Sequence, residues 1–149
     1  MSADAEEITA ESAEPAELFG AARLNHITEQ IIGAAITVHR SLGPGLLESA
    51  YQACLAFELA HCGLRVVQQH PLPVVYRSVR LDCGYRLDFL VENEVIVEVK
   101  SVARIDRIHE AQMISYLRLA DRRVGWLVNF NVRVLKHGIK RFVNNFQNG

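Results

Sequence analysis

The residues best suited to chemistry lie in one stretch, Tyr85-Arg-Leu-Asp-Phe-Leu-Val-Glu-Asn-Glu-Val-Ile-Val-Glu-Val-Lys100-Ser101, where two apolar runs flank the polar turn Glu92-Asn93-Glu94. A hairpin centred on Asn93 sets Asp88 opposite Glu98, with Cβ atoms about 5 Å apart. Strand parity adds Lys100 to that face and sends Val97 and Val99 to the other. Two carboxylates beside an ammonium make a hard-cation site, since oxygen donors suit Mg²⁺ or Mn²⁺, which keep several waters and bind phosphate oxygens. With Lys100 acting on an attacking water, such a site supports metal-assisted phosphodiester hydrolysis. The competing reading is an ion-paired patch on a solvated sheet face. Ile96, Val97 and Val99 weigh against it, because they mark a central, largely buried strand where charges are costly unless paired or metal-bound.

Two further groups have suggestive spacing. Glu48 opens a helical segment and precedes Tyr51 by three positions, so the two share nearly one face. The helix dipole alone would also favour an acid there. Later in the chain His109, Gln112 and Tyr116 fall at i, i+3 and i+7 and form one polar-aromatic stripe, a pattern that a half-exposed helix face shares. Arg104 and Arg107 follow the Lys100 strand, and Arg122, Arg123, Arg133, Lys136, Lys140 and Arg141 make the carboxyl-terminal third basic. Such a surface suits phosphate contacts, and equally suits simple solubility. Gly43-Pro-Gly45 lacks the downstream Gly-Lys-Ser/Thr of a phosphate loop, and no zinc-finger or dinucleotide motif is present.

Asp88 followed by Glu98-Val99-Lys100 resembles the D…(D/E)-x-K signature of the PD-(D/E)XK nuclease superfamily, and Gly45-Leu-Leu-Glu48-Ser-Ala-Tyr51 resembles the G-x-x-E-x-x-Y motif that names a family of small bacterial proteins within it. Leu87 stands where proline often precedes the aspartate, a common variation that leaves the carboxylate intact. Gln112-Met-Ile-Ser-Tyr116 is similar to the Q-x-x-x-Y motif of the exonuclease-like branches. The resemblance implies a restriction-endonuclease-like α/β core and a metal-dependent nuclease. In it Glu48, Asp88 and Glu98 hold Mg²⁺ or Mn²⁺, Lys100 acts on water, Gln112 and Tyr116 organise the site, and His109, Gln112 and Arg104 meet substrate. Nucleic acid is the expected partner, DNA ahead of RNA, with a homodimer or a partner subunit completing the grip. The alternative is a non-catalytic module of the same fold that binds nucleic acid or assembles with protein.

Elements able to position these residues follow from periodicity. Apolar residues at helical spacing from Asn25 to Leu42 predict a helix capped by Asn25, and Leu47 to Cys62 predict a second, ended by Gly63. β-rich runs at Leu64–Gln69, Pro73–Arg80, Tyr85–Val91 and Val95–Ser101 read as an antiparallel meander. A third helix is expected over Asp106–Leu119, with Ile108, Met113, Ile114, Leu117 and Ala120 as buried positions, before strands at Val124–Phe130 and Gly138–Val143. The order argues a mixed α/β domain with two N-terminal helices, a central meander, a further helix and closing strands.

Composition bounds the rest. The 149 residues, half of them apolar, suit one globular domain, read as residues 23–149 behind an acidic, flexible tail of residues 1–22. That tail holds six acids and no base, so the remaining chain balances 16 bases against 11 acids, and thirteen of those bases are arginine. No uncharged run approaches the roughly 20 residues of a membrane span, and the acidic start is unlike a secretory signal, so a cytoplasmic protein is expected. Cys54, Cys62 and Cys83 show no metal or disulfide spacing and read as buried free thiols.

Overall fold

The computed structural model describes residues 15–145. Residues 1–14, where most of the expected acidic tail falls, lie outside the described part.

Helix α1 spans Pro15–Leu42 and α2 spans Glu48–His61. Asn25 is therefore an interior residue of α1 and not its cap. The apolar stripe Ile27, Ile31, Ala34, Ala35 and Val38 marks only the part of α1 that packs on the core, and the helix continues N-terminal of it.

Five strands build the main sheet: β1 (Val66–Pro71), β4 (Arg86–Val91), β5 (Val95–Lys100), β6 (Val124–Asn129) and β7 (Ile139–Val143), in spatial order β1-β4-β5-β6-β7. All neighbours are antiparallel except β5 and β6, which run parallel and are joined by α3 (Arg107–Ala120). The expected run Pro73–Arg80 is not one strand of that sheet. Arg77 and Ser78 take left-handed backbone angles (φ 49° and 67°) and turn the chain, so β2 (Val74–Tyr76) and β3 (Val79–Leu81) pair only with each other.

The sheet is buried on both faces, which accounts for its apolar strands. Helices α1 and α2 cover Val91, Val95, Val97, Val99, Trp126 and Val128, whereas α3 covers Leu90, Ile96 and Leu127. Helix α3 meets the sheet through buried Met113, Tyr116 and Leu117, with Ala120 packed half-buried against them. Ile108 and Ile114, expected inside, are 71% and 44% exposed, because a helix lying flat on a sheet buries one narrow stripe. The thiols also differ from expectation: Cys62 and Cys83 are exposed and Cys54 is half-buried, so all three are free without being core residues.

Gly138 precedes β7 where the chain crosses the end of β6. A Cβ built on it would sit 2.1 Å from the backbone oxygen of Asn129, whose N–H donates to the Gly138 carbonyl at 2.8 Å. Backbone cannot retreat as a side chain can. Gly138→Ala is expected to destabilise the protein by about 2 kcal/mol or more, measured by urea unfolding.

Candidate active site

The β4–β5 hairpin puts the acid pair in place. Phe89↔Val97, Leu90↔Ile96 and Val91↔Val95 face one another, the register expected for a turn about Asn93, and Glu92 and Asn93 adopt the left-handed angles (φ 52° and 56°) that close it. At the next step side chains replace the backbone ladder. The Asp88 N–H donates to Glu98 Oε2 at 2.7 Å, and the Val99 N–H donates to Asp88 Oδ2 at 2.8 Å. Each carboxylate is thus pinned by the opposite strand through one oxygen, leaving the other oxygen of each for a further partner.

The strand beside β4 is distorted at the same level. Gln68 pairs with Phe89 and His70 with Leu87, but Gln69 has φ 51° and makes no such pair with Asp88. Leu87 joins the cluster under α3 although Phe89 joins the one under α1 and α2, so side-chain alternation breaks at Asp88. The Gln69 amide instead donates to Gln52 Oε1 at 3.2 Å, and the Gln52 amide reaches Glu48 Oε2 at 3.5 Å.

Burial dominates the electrostatics. It pushes Glu98 up to about 8, with the neighbouring Asp88 charge adding to the rise and the Asp88 N–H and Lys100 opposing it. Asp88 is raised as well, first by burial and then by Glu48, against the Val99 N–H and Lys100. Glu48 from α2 and Lys100 from the end of β5 are therefore within electrostatic reach of both acids. Tyr116 of α3 is raised by its own burial and then by Glu98, which keeps its hydroxyl protonated and a donor.

Glu48, Asp88, Glu98, Lys100 and Tyr116 thus converge, and Gln112 lies half-buried one turn before Tyr116. His109 and Arg104 are engaged elsewhere. His109 Nδ1 accepts the Asp106 N–H at 3.0 Å in a capping box at the start of α3, and Arg104 pairs with Asp106 at 3.6 Å.

Tyr51 works on the approach to Glu48. Fully buried and stacked on Phe130 at 4.7 Å, it donates to the Gly43 carbonyl and accepts the Leu46 N–H at 3.1 Å. This ties down the Gly43–Gly45 turn, where both glycines hold positive φ (67° and 100°). Ser101 Oγ donates to the Leu46 carbonyl at 2.6 Å and joins that turn to the Lys100 strand. Tyr51→Phe is expected to cost about 1 kcal/mol while keeping the ring stack, read from denaturant midpoints at unchanged m-value.

Sequence reasoning passed over Gln52, Gln69 and Asn129. Gln52 follows Glu48 at i+4, a spacing that could have flagged it. Asn129 was visible as the one amide closing an apolar strand run. It is 1% exposed, its Oδ1 accepts the Val102 and Asn131 N–H groups, and its Nδ2 donates to the Val102 carbonyl, stapling the exit of β5 to β6. Nothing local distinguishes Gln69.

Among the described residues no group of three His, Cys, Asp or Glu side chains is already gathered as a metal cage. The donors nevertheless fit a hard divalent cation. The buried Glu98 and half-buried Asp88 repel one another when both are ionised, each retains an oxygen, and a third carboxylate stands within electrostatic reach.

A mixed sheet between helical layers, with two acids and a lysine toward the same end of two central strands, defines an α/β fold with a carboxylate-centred candidate site. A family model of the PD-(D/E)XK nuclease superfamily matches residues 25–142, and the chain belongs to that superfamily. Its nucleases generally use divalent metal ions and act on nucleic acid. No curated protein and no solved structure matches the chain. Among the described residues no helix is long and apolar enough to cross a membrane.

Proposed function

We propose that this protein is a Mg²⁺- or Mn²⁺-dependent nuclease of the GxxExxY branch, hydrolysing phosphodiester bonds, DNA ahead of RNA. The observation that carries the reading is the interlocked pair Asp88 and Glu98 with Lys100 and Glu48 in electrostatic reach. A decaying site would gain stability by losing either the buried Glu98 or the half-buried Asp88 beside it. The branch assignment is supported by what its motif residues do: Gly45 turns the chain, Tyr51 fastens the turn, and Glu48 opens α2 within electrostatic reach of the acids.

Glu48, Asp88 and Glu98 would hold the cation, which polarises the phosphoryl group and lowers the pKa of a bound water. Lys100 orients the attacking water and offsets charge building on the phosphate. The Tyr116 hydroxyl, held protonated, donates to a phosphate oxygen, and Gln112 shares its stripe. Arg104, 87% exposed, and His109 at the start of α3, each also tied to Asp106, would meet the flanking backbone from outside the carboxylate cluster. Two exposed free thiols fit a reducing cytoplasm.

The test is a time course on single- and double-stranded DNA and RNA with Mg²⁺, Mn²⁺ or EDTA. Cleavage that needs the metal and tracks the protein peak through size exclusion bears the reading out. Inert protein on every substrate overturns it.

A further inference from the structure

Between Pro71 and Arg86 the chain leaves the main sheet for the β2–β3 hairpin. Every residue of its two strands except Val74 is exposed, and Val75, Tyr76 and Val79 are 59%, 62% and 54% exposed. Tyr76 and Val79 are cross-strand partners on one face of this ribbon and Val75 and Arg80 on the other, so a two-stranded unit that is marginal alone in water leaves apolar side chains uncovered on both faces, as a binding element does. Its charge is one-sided. No acid occurs from Leu64 to Leu81, while Arg77 and Arg80 stand on the hairpin, and the Arg77 guanidinium lies 5.8 Å from the Tyr76 ring centre.

The hairpin grows from the end of the sheet that holds the acids. Its base is the Pro71↔Arg86 pair, two residues before Asp88. There Tyr85 packs edge-on against Tyr116 at 6.0 Å, and Tyr116 feels the charges of Glu98 and Asp88. An aromatic step therefore links hairpin and site.

We propose that the β2–β3 hairpin is an arm that grips an unpaired nucleic-acid strand leading to the carboxylates, with Arg77 and Arg80 on phosphates and Tyr76 stacked on a base. Where that strand leads rests on the nuclease reading, whereas the grip itself does not. The partner follows from the chemistry: an exposed tyrosine beside Arg77, with Arg80 across the turn, matches a polyanion with stackable bases. A second copy matches poorly, because two-fold pairing would bring Arg77 and Arg80 toward their own copies, with Asp82, whose carboxylate already accepts the Gly84 N–H, as the one acid between Pro71 and Arg86.

The experiment is fluorescence anisotropy of the whole chain in EDTA, where cutting cannot interfere, on a labelled single strand and its duplex across a salt series. The Arg77→Gln, Arg80→Gln double variant is expected to bind the single strand about tenfold more weakly, with a log–log salt slope smaller by about 1.4. Tyr76→Ala is expected to weaken single-strand binding by roughly 5- to 100-fold and duplex binding far less, and Tyr76→Phe to restore it. Variants that bind like wild type overturn the arm. So does a wild type that binds no nucleic acid, or a dimer in the ultracentrifuge that Tyr76→Ala dissociates. Parallel assays with Mg²⁺ keep the two readings apart: binding through the hairpin without cleavage upholds the arm and sinks the nuclease, and cleavage with unaffected hairpin variants sinks only the arm.

Discussion

Asp88→Asn and Lys100→Ala are each expected to slow single-turnover cleavage by about 10²- to 10⁴-fold, and to differ in metal binding. Asparagine can still accept the Val99 N–H that now meets Asp88 Oδ2 at 2.8 Å, so the hairpin should fold. The donor charge is gone, however, and Mn²⁺ affinity by calorimetry should fall with the rate. Lys100 contributes positive charge beside both acids. Its removal leaves the carboxylates intact and takes a cation away from where another cation must sit, so Lys100→Ala should hold Mn²⁺ at least as tightly as wild type while cutting poorly. Undiminished cleavage in either variant contradicts the assigned roles, and loss of Mn²⁺ from Lys100→Ala would make the lysine a structural group.

The second large effect is a pH dependence of stability that metal reverses. Glu98 lies at about 8 in the folded protein against an ordinary 4.5, chiefly because it is buried and then because Asp88 is beside it. The folded state thus binds the proton more tightly than the unfolded chain. Its stabilising effect is complete below pH 4.5, and is lost as pH rises toward 8, where the fold must carry an ionised acid in a poor solvent. Metal-free protein should lose about 1–3 kcal/mol between mildly acid and mildly alkaline pH. A cation needs the ionised pair, so Mn²⁺ should raise the melting temperature more at pH 8.5 than at pH 5.5 and release protons as it binds. Glu98→Gln should flatten this dependence and abolish the Mn²⁺ shift. A melting temperature that is level with pH in wild type, or a metal shift that survives in Glu98→Gln, would contradict the electrostatic account.

Much of the site could be read from residue order because its geometry is local. A short turn at Asn93 and two apolar runs leave one sensible register, and the observed pairs Phe89↔Val97 and Val91↔Val95 obey it. Lys100 follows Glu98 by strand parity. Glu48 required more, since its own position says only that an acid opens a helix, and the G-x-x-E-x-x-Y resemblance pointed it toward the strands. Spacing places Tyr116 in a polar stripe; it is 6% exposed and packs on the sheet beside Met113, within electrostatic reach of Glu98 and Asp88. Periodicity locates a helix face without saying which stripe another layer will cover, and Ile108 and Ile114 were misplaced for that reason.

The order of the helices and main-sheet strands and the placing of Asp88 beside Glu98 are legible in residue order, because propensity, alternation and turn geometry act between near neighbours. Long-range packing is what makes Gln69 break its ladder opposite Asp88, Asn129 staple the exit of β5, β2 and β3 stand outside the main sheet, and burial raise Glu98. Those outcomes depend on which distant side chains exclude water from a given atom. Desolvation belongs to the packed molecule, and no spacing along the chain records it.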